Sequence, residues 1–176
     1  MPSHKRLLIL DTSAILTGIQ SSLPNTDAYT TQLVISEAKR KLMEENKSDT
    51  LDIRSLIIME PSLEAVNSVI TYSLKMGEKS NLSPVDISVL ALGKQLLDDS
   101  AGEIEILTDD YSIQNVANAF GLKFHSIATQ RIKKQIRWVY YCKGCRMKYE
   151  IPPKDMLCAV CGSEISRKPF KIQNIK

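Results

Sequence analysis

Histidine is scarce in this 176-residue chain: there are two, and neither is placed to compete for an active-site role. His4 lies in the opening residues, and His125 stands alone in a strand-like stretch. No apolar run approaches the roughly 18 residues that a membrane-spanning helix needs. The apolar part of residues 1–10 is too short for a signal peptide. The expectation is an intracellular, cytoplasmic protein with no membrane partner. Internal repeats and low-complexity segments are also lacking, which excludes a solenoid or a disordered chain. With 43% hydrophobic and 24% charged residues, the composition is that of a soluble globular protein. The length suits one ordinary domain with a small appendage.

The modest net charge of +3 hides an asymmetry. Residues 1–128 carry 11 Lys or Arg against 17 Asp or Glu, a net of −6, whereas residues 129–176 carry 12 against 3, a net of +9. An acidic body followed by a basic tail suits a polyanionic partner held by the tail, although a solvated basic face would look the same.

The body reads as alternating strands and helices. LLILDTSAIL, residues 7–16, is a short apolar run ending at Asp11, the pattern of a strand buried on both faces. Residues 21–27 form a loop. In the next segment, Tyr29 to Val34 favour a strand, and a helix follows with Ser36 as a plausible N-cap and Glu37 in its first turn. Residues 55–61 read as a second buried strand, followed by a helix closed by Gly77. Ser83 and Pro84 open another helix, with Asp86 in its first turn. Residues 103–107 form a strand that ends at Thr108, Asp109 and Asp110. A helix closed by Gly121 and a short strand complete the series. This order implies βαβ units: an α/β fold with a mostly parallel sheet flanked by helices.

The expected division is a body over 1–128, a basic linker over 129–137 and a small unit over 138–176. Cysteine is absent from the first 141 residues, and all four lie in that last unit. Cys142, Cys145, Cys158 and Cys161 have the spacing C-x2-C-x12-C-x2-C, two pairs able to complete a tetrahedral four-sulfur shell for one structural Zn²⁺. Two disulfides would need an oxidising compartment that nothing in the sequence suggests. A redox motif fits less well still, because neither pair opens a helix in a βαβ context. Four sulfur ligands leave no open position, so the metal is structural. It supplies roughly 10–16 kcal/mol to a unit too small to fold by burial alone. The unit is expected to be a zinc ribbon of short antiparallel strands.

Trp138, Tyr140, Tyr141, Tyr149 and Phe170 are interleaved here with cations. Aromatic faces and cations together suit single-stranded nucleic acid, although about half of these rings should form the ribbon's own core. Candidate RNA contacts are Arg131, Lys133, Lys134, Arg137, Lys143, Arg146 and Lys148. If the segment around QRIKKQIRW is helical, Lys133 and Arg137 share one face, and Arg131 and Lys134 share another.

Asp11, Glu37, Asp86 and the pair Asp109–Asp110 occupy strand ends and helix starts, which lie along one edge of a parallel sheet. Each could be a helix cap or first-turn acid, Asp86 through a capping box with Ser83. As a group they call for cations. Two carboxylates about 4 Å apart repel by roughly 4 kcal/mol at an effective dielectric near 20, and oxygen-only ligands select Mg²⁺ or Mn²⁺. Such ions activate water for in-line attack on a phosphodiester.

The series LLILDTSAIL, ISEA, SPVDISVLALG and ILTDDYSIQNVANAFGL resembles the PIN-domain nucleases, whose Asp, Glu, Asp and Asp ligands match Asp11, Glu37, Asp86 and one of Asp109 and Asp110. Thr12, Ser13 and Thr108 stand beside them as candidates to orient water or phosphate. With a four-cysteine ribbon appended, the whole chain is similar to the archaeal form of the Nin-one-binding endoribonuclease family. That resemblance implies cleavage of single-stranded precursor RNA at the 3′ end of small-subunit ribosomal RNA, within a pre-ribosomal particle, leaving a 3′-hydroxyl and a 5′-phosphate. Ribosome-assembly proteins are the other implied partners. Two further readings are a non-catalytic RNA-binding assembly factor and a VapC-like toxin ribonuclease, a class that usually lacks the ribbon.

Overall fold

The computed structural model describes residues 6–22, 26–46, 51–99, 102–128 and 132–175. The body is a five-stranded parallel sheet of β1 (Arg6–Leu10), β2 (Asp27–Thr30), β3 (Leu56–Ile58), β4 (Glu103–Leu107) and β5 (Lys123–His125), in the order β3-β2-β1-β4-β5. Its helices are α1 (Thr12–Leu16), α2 (Gln32–Glu44), α3 (Leu63–Met76), α4 (Pro84–Asp99) and α5 (Tyr111–Ala119). Strand β1 is central because it can be buried on both faces: Leu8, Ile9 and Leu10 are at most 1% exposed. Helix α4 lies against it, burying an unbroken run from Ile87 to Gly93. Every crossover returns the chain in the same direction, so the strand ends and following helix starts collect along one edge.

The structure departs from the sequence-based expectations at three places in the backbone. Residues 55–61 give only the short edge strand β3, half exposed, because it pairs on one side alone. Thr31, not Ser36, caps α2, so Glu37 lies in the second turn. Val34 and Ile35, which favour a strand locally, are the inner face of that helix together with Ala38 and Leu42. The third departure is the basic segment. Lys134 to Arg137, expected in a linker, belong to β6 (Lys134–Cys142), so Lys133 and Arg137 share no helix face. Arg131 and residues 129–130 lie outside the described residues.

Strand β6 forms a second sheet, antiparallel to β7 (Lys148–Tyr149) and along its whole length to β8 (Ile165–Asn174), with a bulge at Arg137/Trp138. Its own core is small: Tyr140, Cys142, Cys158 and Ile165, flanked by Tyr149 and Met156. The other half of the hairpin docks on the body. The Asn115 side chain mimics a strand, donating to the Ile136 carbonyl at 2.7 Å and accepting from its amide at 2.9 Å.

Glu78 is the centre of this docking at 3% exposure. It accepts from Trp138 Nε1 at 2.7 Å, from Asn81 and Asn115 at 2.8 Å each, and from Arg167 at 3.4 Å. A buried carboxylate needs such a set of donors, and losing one is costly. Just before it, Gly77 ends α3 in the left-handed region at φ +70°, and a Cβ there would lie 2.6 Å from the Trp138 carbonyl oxygen. Gly77→Ala combines backbone strain with a backbone clash, so it should cost about 2–3 kcal/mol and expose Trp138. A lowered melting temperature with red-shifted Trp138 fluorescence, readable because it is the only tryptophan, is the expected result. An unchanged melt would contradict the close docking.

Candidate active site and metal centre

Asp11 leaves the end of β1 and caps α1. Its Oδ1 accepts from the Ala14 amide at 2.8 Å and the Ser13 hydroxyl at 2.7 Å, and its Oδ2 accepts from the Thr108 hydroxyl at 2.5 Å. Thr108 follows β4 and also accepts the Asp110 amide at 3.0 Å. Asp110 then caps α5 through the Ser112 and Ile113 amides. Asp86 is held in a reciprocal capping box, accepting from the Ser83 amide at 2.7 Å while the Ser83 hydroxyl accepts from the Asp86 amide at 3.2 Å. From α2, Glu37 accepts from the Thr12 hydroxyl at 2.5 Å and pairs with Lys41 at 3.2 Å. The cap and site roles therefore coincide: each cap fixes the carboxylate while leaving part of it open.

These acids feel one another. Burial pushes the Asp11 carboxyl above its ordinary value, its hydrogen bonds to Thr108, Ala14 and Ser13 oppose that rise, and the charge of Asp110 adds to it. Burial likewise raises Asp86, with Asp110 and Glu37 adding repulsion. Burial would raise Glu37 too, but the Thr12 hydroxyl and Lys41 outweigh it and hold it below the ordinary value. Asp11, Glu37, Asp86 and Asp110 thus share one field. Asp109 turns away. Its carboxylate accepts from the Ser126 hydroxyl at 2.6 Å, the Ile127 amide at 2.9 Å and the Ala128 amide at 3.2 Å, fastening the chain after β5.

The cysteines have converged. Their sulfurs all lie within 4.8 Å of one another. Cys142 and Cys161 are 3.4 Å apart and Cys145 and Cys158 are 3.5 Å apart, with all four thiols free. A disulfide is about 2.04 Å long, whereas thiolates on a tetrahedral zinc with Zn–S near 2.3 Å sit about 3.8 Å apart. The knuckle geometry fits a metal: the amides of Gly144 and Cys145 point at Cys142 Sγ at 3.3 and 3.4 Å. A Cβ on Gly144 would fill the turn, lying 2.4 Å from Ser163 Oγ and 3.3 Å from Cys161 Sγ. The Ser163 hydroxyl holds the Cys161 thiol down to about 6. At Cys145 the Met147 amide acts downward, but hydrogen bonding to the other thiols prevails and pushes it up to about 12. Four sulfurs at this spacing could hold one metal ion, and an all-sulfur set suits zinc better than the hard ions.

The basic candidates divide. Lys133 and Lys134 are exposed at the start of the ribbon sheet. Arg137 donates to the Lys75 carbonyl at 2.9 Å and lies 5.5 Å from the Phe170 ring, and Lys143 pairs with Glu164 at 2.7 Å, so both have structural work. Arg146 and Lys148 are exposed near the cysteines. Sequence reading overlooked Glu78 and Asn115. The available signal was Gln114–Asn115, two adjacent amides within the otherwise apolar face of α5.

Residues 8–96 match the family described as PIN domain of ribonuclease, the class that a parallel sheet with an acidic edge defines. An Endoribonuclease Nob1 from Pyrococcus abyssi is 35% identical, covering 94% of this chain and 95% of that relative. One from Methanocaldococcus jannaschii is 34% identical over 94% of this chain and 79% of its own length. A Ribonuclease VapC1 from Thermoplasma acidophilum is 35% identical over 92% and 77%, respectively. This chain belongs to the Nob1 family of PIN-domain endoribonucleases.

The raised carboxyl of Asp86 has a testable cost. A carboxylate whose folded pKa exceeds its unfolded one destabilises progressively as pH rises through that window, and the penalty is complete at neutral pH. Without added Mg²⁺ or Mn²⁺, Asp86→Asn keeps an acceptor for the Ser83 amide and should raise the melting temperature at pH 7, by a small amount because solvent screens the half-buried carboxylate. Saturating Mn²⁺ should reverse the ranking. A variant that melts lower than the native protein without the ion would show that Asp86 is no site of repulsion.

Proposed function

We propose that this endoribonuclease cuts single-stranded precursor RNA at the 3′ end of small-subunit ribosomal RNA, using Mg²⁺ or Mn²⁺ held by Asp11, Glu37, Asp86 and Asp110. The observation that carries the reading is the hydrogen-bond chain at the sheet edge: the Thr108 hydroxyl donates to Asp11 and accepts the Asp110 amide, and Thr12, next to Asp11, donates to Glu37. The names of the relatives supply the endoribonuclease activity. The ribosomal substrate, a pre-ribosomal particle and assembly proteins as partners, and a cytoplasmic setting follow from the family resemblance. Among the described residues no helix is long and apolar enough to cross a membrane. Residues 1–128 are the nuclease unit and the ribbon begins with β6 at Lys134, with Zn²⁺ held by Cys142, Cys145, Cys158 and Cys161.

The bound divalent ion would polarise the scissile phosphodiester and lower the pKa of a water. The chain's own part is positional. Asp11 is fixed by three donors, so its open lone pairs keep one direction. The Thr12 and Thr108 hydroxyls donate to the Glu37 and Asp11 carboxylates, which fixes their direction and favours the ionised form that a cation needs. In the reaction, water oxygen bonds to phosphorus and the P–O3′ bond breaks, giving a 5′-phosphate and a 3′-hydroxyl that takes up the proton. Lys133, Lys134, Arg146 and Lys148 present cations to the flanking phosphates.

With Mn²⁺ and a model RNA spanning the 3′ end of small-subunit ribosomal RNA, native protein should produce a single cut, and Asp11→Asn should slow it about 100-fold or more, as expected when a charge-stabilising group is lost. Equal cleavage by both proteins would remove Asp11 from the site. Binding should weaken with salt, and Lys134→Ala should reduce the slope of log affinity against log salt by about 0.7, the value for one phosphate contact on a single strand. An unchanged slope would leave Lys134 outside the RNA path.

A further inference from the structure

An open groove of about 550 Å³ lies between the first turn of α5 and the start of the ribbon sheet. Chain continuity fixes its place: Tyr111 lines it and follows Asp110 directly, so the groove opens one residue from the acidic edge. Tyr111 is 56% exposed. Across from it, the Arg167 guanidinium lies 4.1 Å from the centroid of the Trp138 ring, and the indole nitrogen is tied to buried Glu78. That wall is an indole with a guanidinium over its ring, and Glu78 holds the guanidinium as well, at 3.4 Å. Exposed Lys133 and Lys134 stand at the rim, and Ser112 adds a hydroxyl beside Tyr111.

The volume falls within the range of small-ligand sites, about 300–1,000 Å³. Two flat surfaces, one aromatic and one a guanidinium plane, are what an unstacked base needs, while ammonium groups at the rim suit its phosphates. An acidic peptide would use the cations and leave the planes idle.

We propose that this groove is a nucleotide subsite. A base flanking the scissile phosphate enters between Tyr111 and the Arg167–Trp138 pair, and Lys133 and Lys134 hold its phosphates. The inference rests on RNA being the substrate of the acidic edge, and it makes the junction of body and ribbon part of the active site. Tyr111 is then a binding residue that sets which nucleotide lies beside the cut. The groove also gives the ribbon's docking a purpose: α5 of the body supplies one wall and the ribbon sheet the other, so a shift of β6 would open the clamp.

Trp138 is the only tryptophan, so intrinsic fluorescence reports on this groove directly. The zinc-loaded protein, with Mg²⁺ and Mn²⁺ withheld to prevent cleavage, is titrated with a ten-nucleotide oligouridine, with an abasic ribose-phosphate ten-mer and with polyglutamate. The oligouridine should quench Trp138 saturably. Tyr111→Ala should weaken that binding about tenfold, the usual loss for one stacked base, and Tyr111→Phe, which keeps the ring, should stay within about twofold of native. The abasic chain should bind in a salt-dependent manner with little quenching. Unaltered affinity in Tyr111→Ala would overturn the subsite, as would equal quenching by the abasic chain or by polyglutamate. The titration needs no catalysis. Failure of native protein to cleave RNA would therefore count against the proposed function, whereas native cleavage with Tyr111→Ala binding normally would remove the groove alone.

Discussion

The Asp11 carboxylate is the constraint on which the acidic edge depends. It sits at the end of the most deeply buried strand and accepts three hydrogen bonds, one of them from Thr108 at the end of the neighbouring strand. That bond ties β1 to β4 beyond the last rung of the sheet. Thr108 in turn receives the amide of Asp110, so placing the first acid also places the fourth. The arrangement carries an energetic cost, because burial and like charge both oppose ionisation at Asp11 and Asp86. A protein selected for stability alone would remove these charges. Their retention in rigid caps is what a site needs when a cation is to supply the missing charge.

A second buried carboxylate, Glu78, does the corresponding work between the two sheets. Its donors come from a 3-10 turn, from α5, from β6 and from β8, so one side chain holds four parts of the chain in register. Asn115 extends this by pairing with the backbone of Ile136 as a strand would. The ribbon is therefore no free appendage. Its cysteine end gathers the four sulfurs, while its other end is built into the body by polar contacts. The sulfur cluster and the acidic edge have separate chemistry: soft thiolates at one, hard oxygens at the other.

Much of this was legible from residues alone. The βα alternation, the role of LLIL as a central strand and the four-sulfur cluster all rest on local patterns, and Asp11, Asp86 and Asp110 reach one edge because topology carries strand ends and helix starts there. Glu37 reaches it from the second turn of its helix, since Thr31 takes the cap, and its hydroxyl also hydrogen-bonds Ser88, 57 residues on, which no local pattern shows. Choosing between Asp109 and Asp110 required the partners of Asp109, which lie 17 to 19 residues further on. The basic segment misled because Ile132 and Ile136, four apart, fit a helix and a strand equally well. Pairing with β8, more than thirty residues away, decides it. Glu78 was invisible for the same reason: its partners on the ribbon are 60 and 89 residues distant.

The most direct test of the central claim is paramagnetic broadening by Mn²⁺ in amide NMR spectra of the zinc-loaded protein. A cation held by Asp11, Glu37, Asp86 and Asp110 should broaden the amides of Thr12, Ser13, Ile87 and Tyr111 saturably and leave Ile127, beside Asp109, much less affected. Asp86→Asn should weaken the saturation. Broadening spread over exposed acids such as Asp98 and Asp99, with none at Thr12 or Tyr111, would contradict a metal-binding edge.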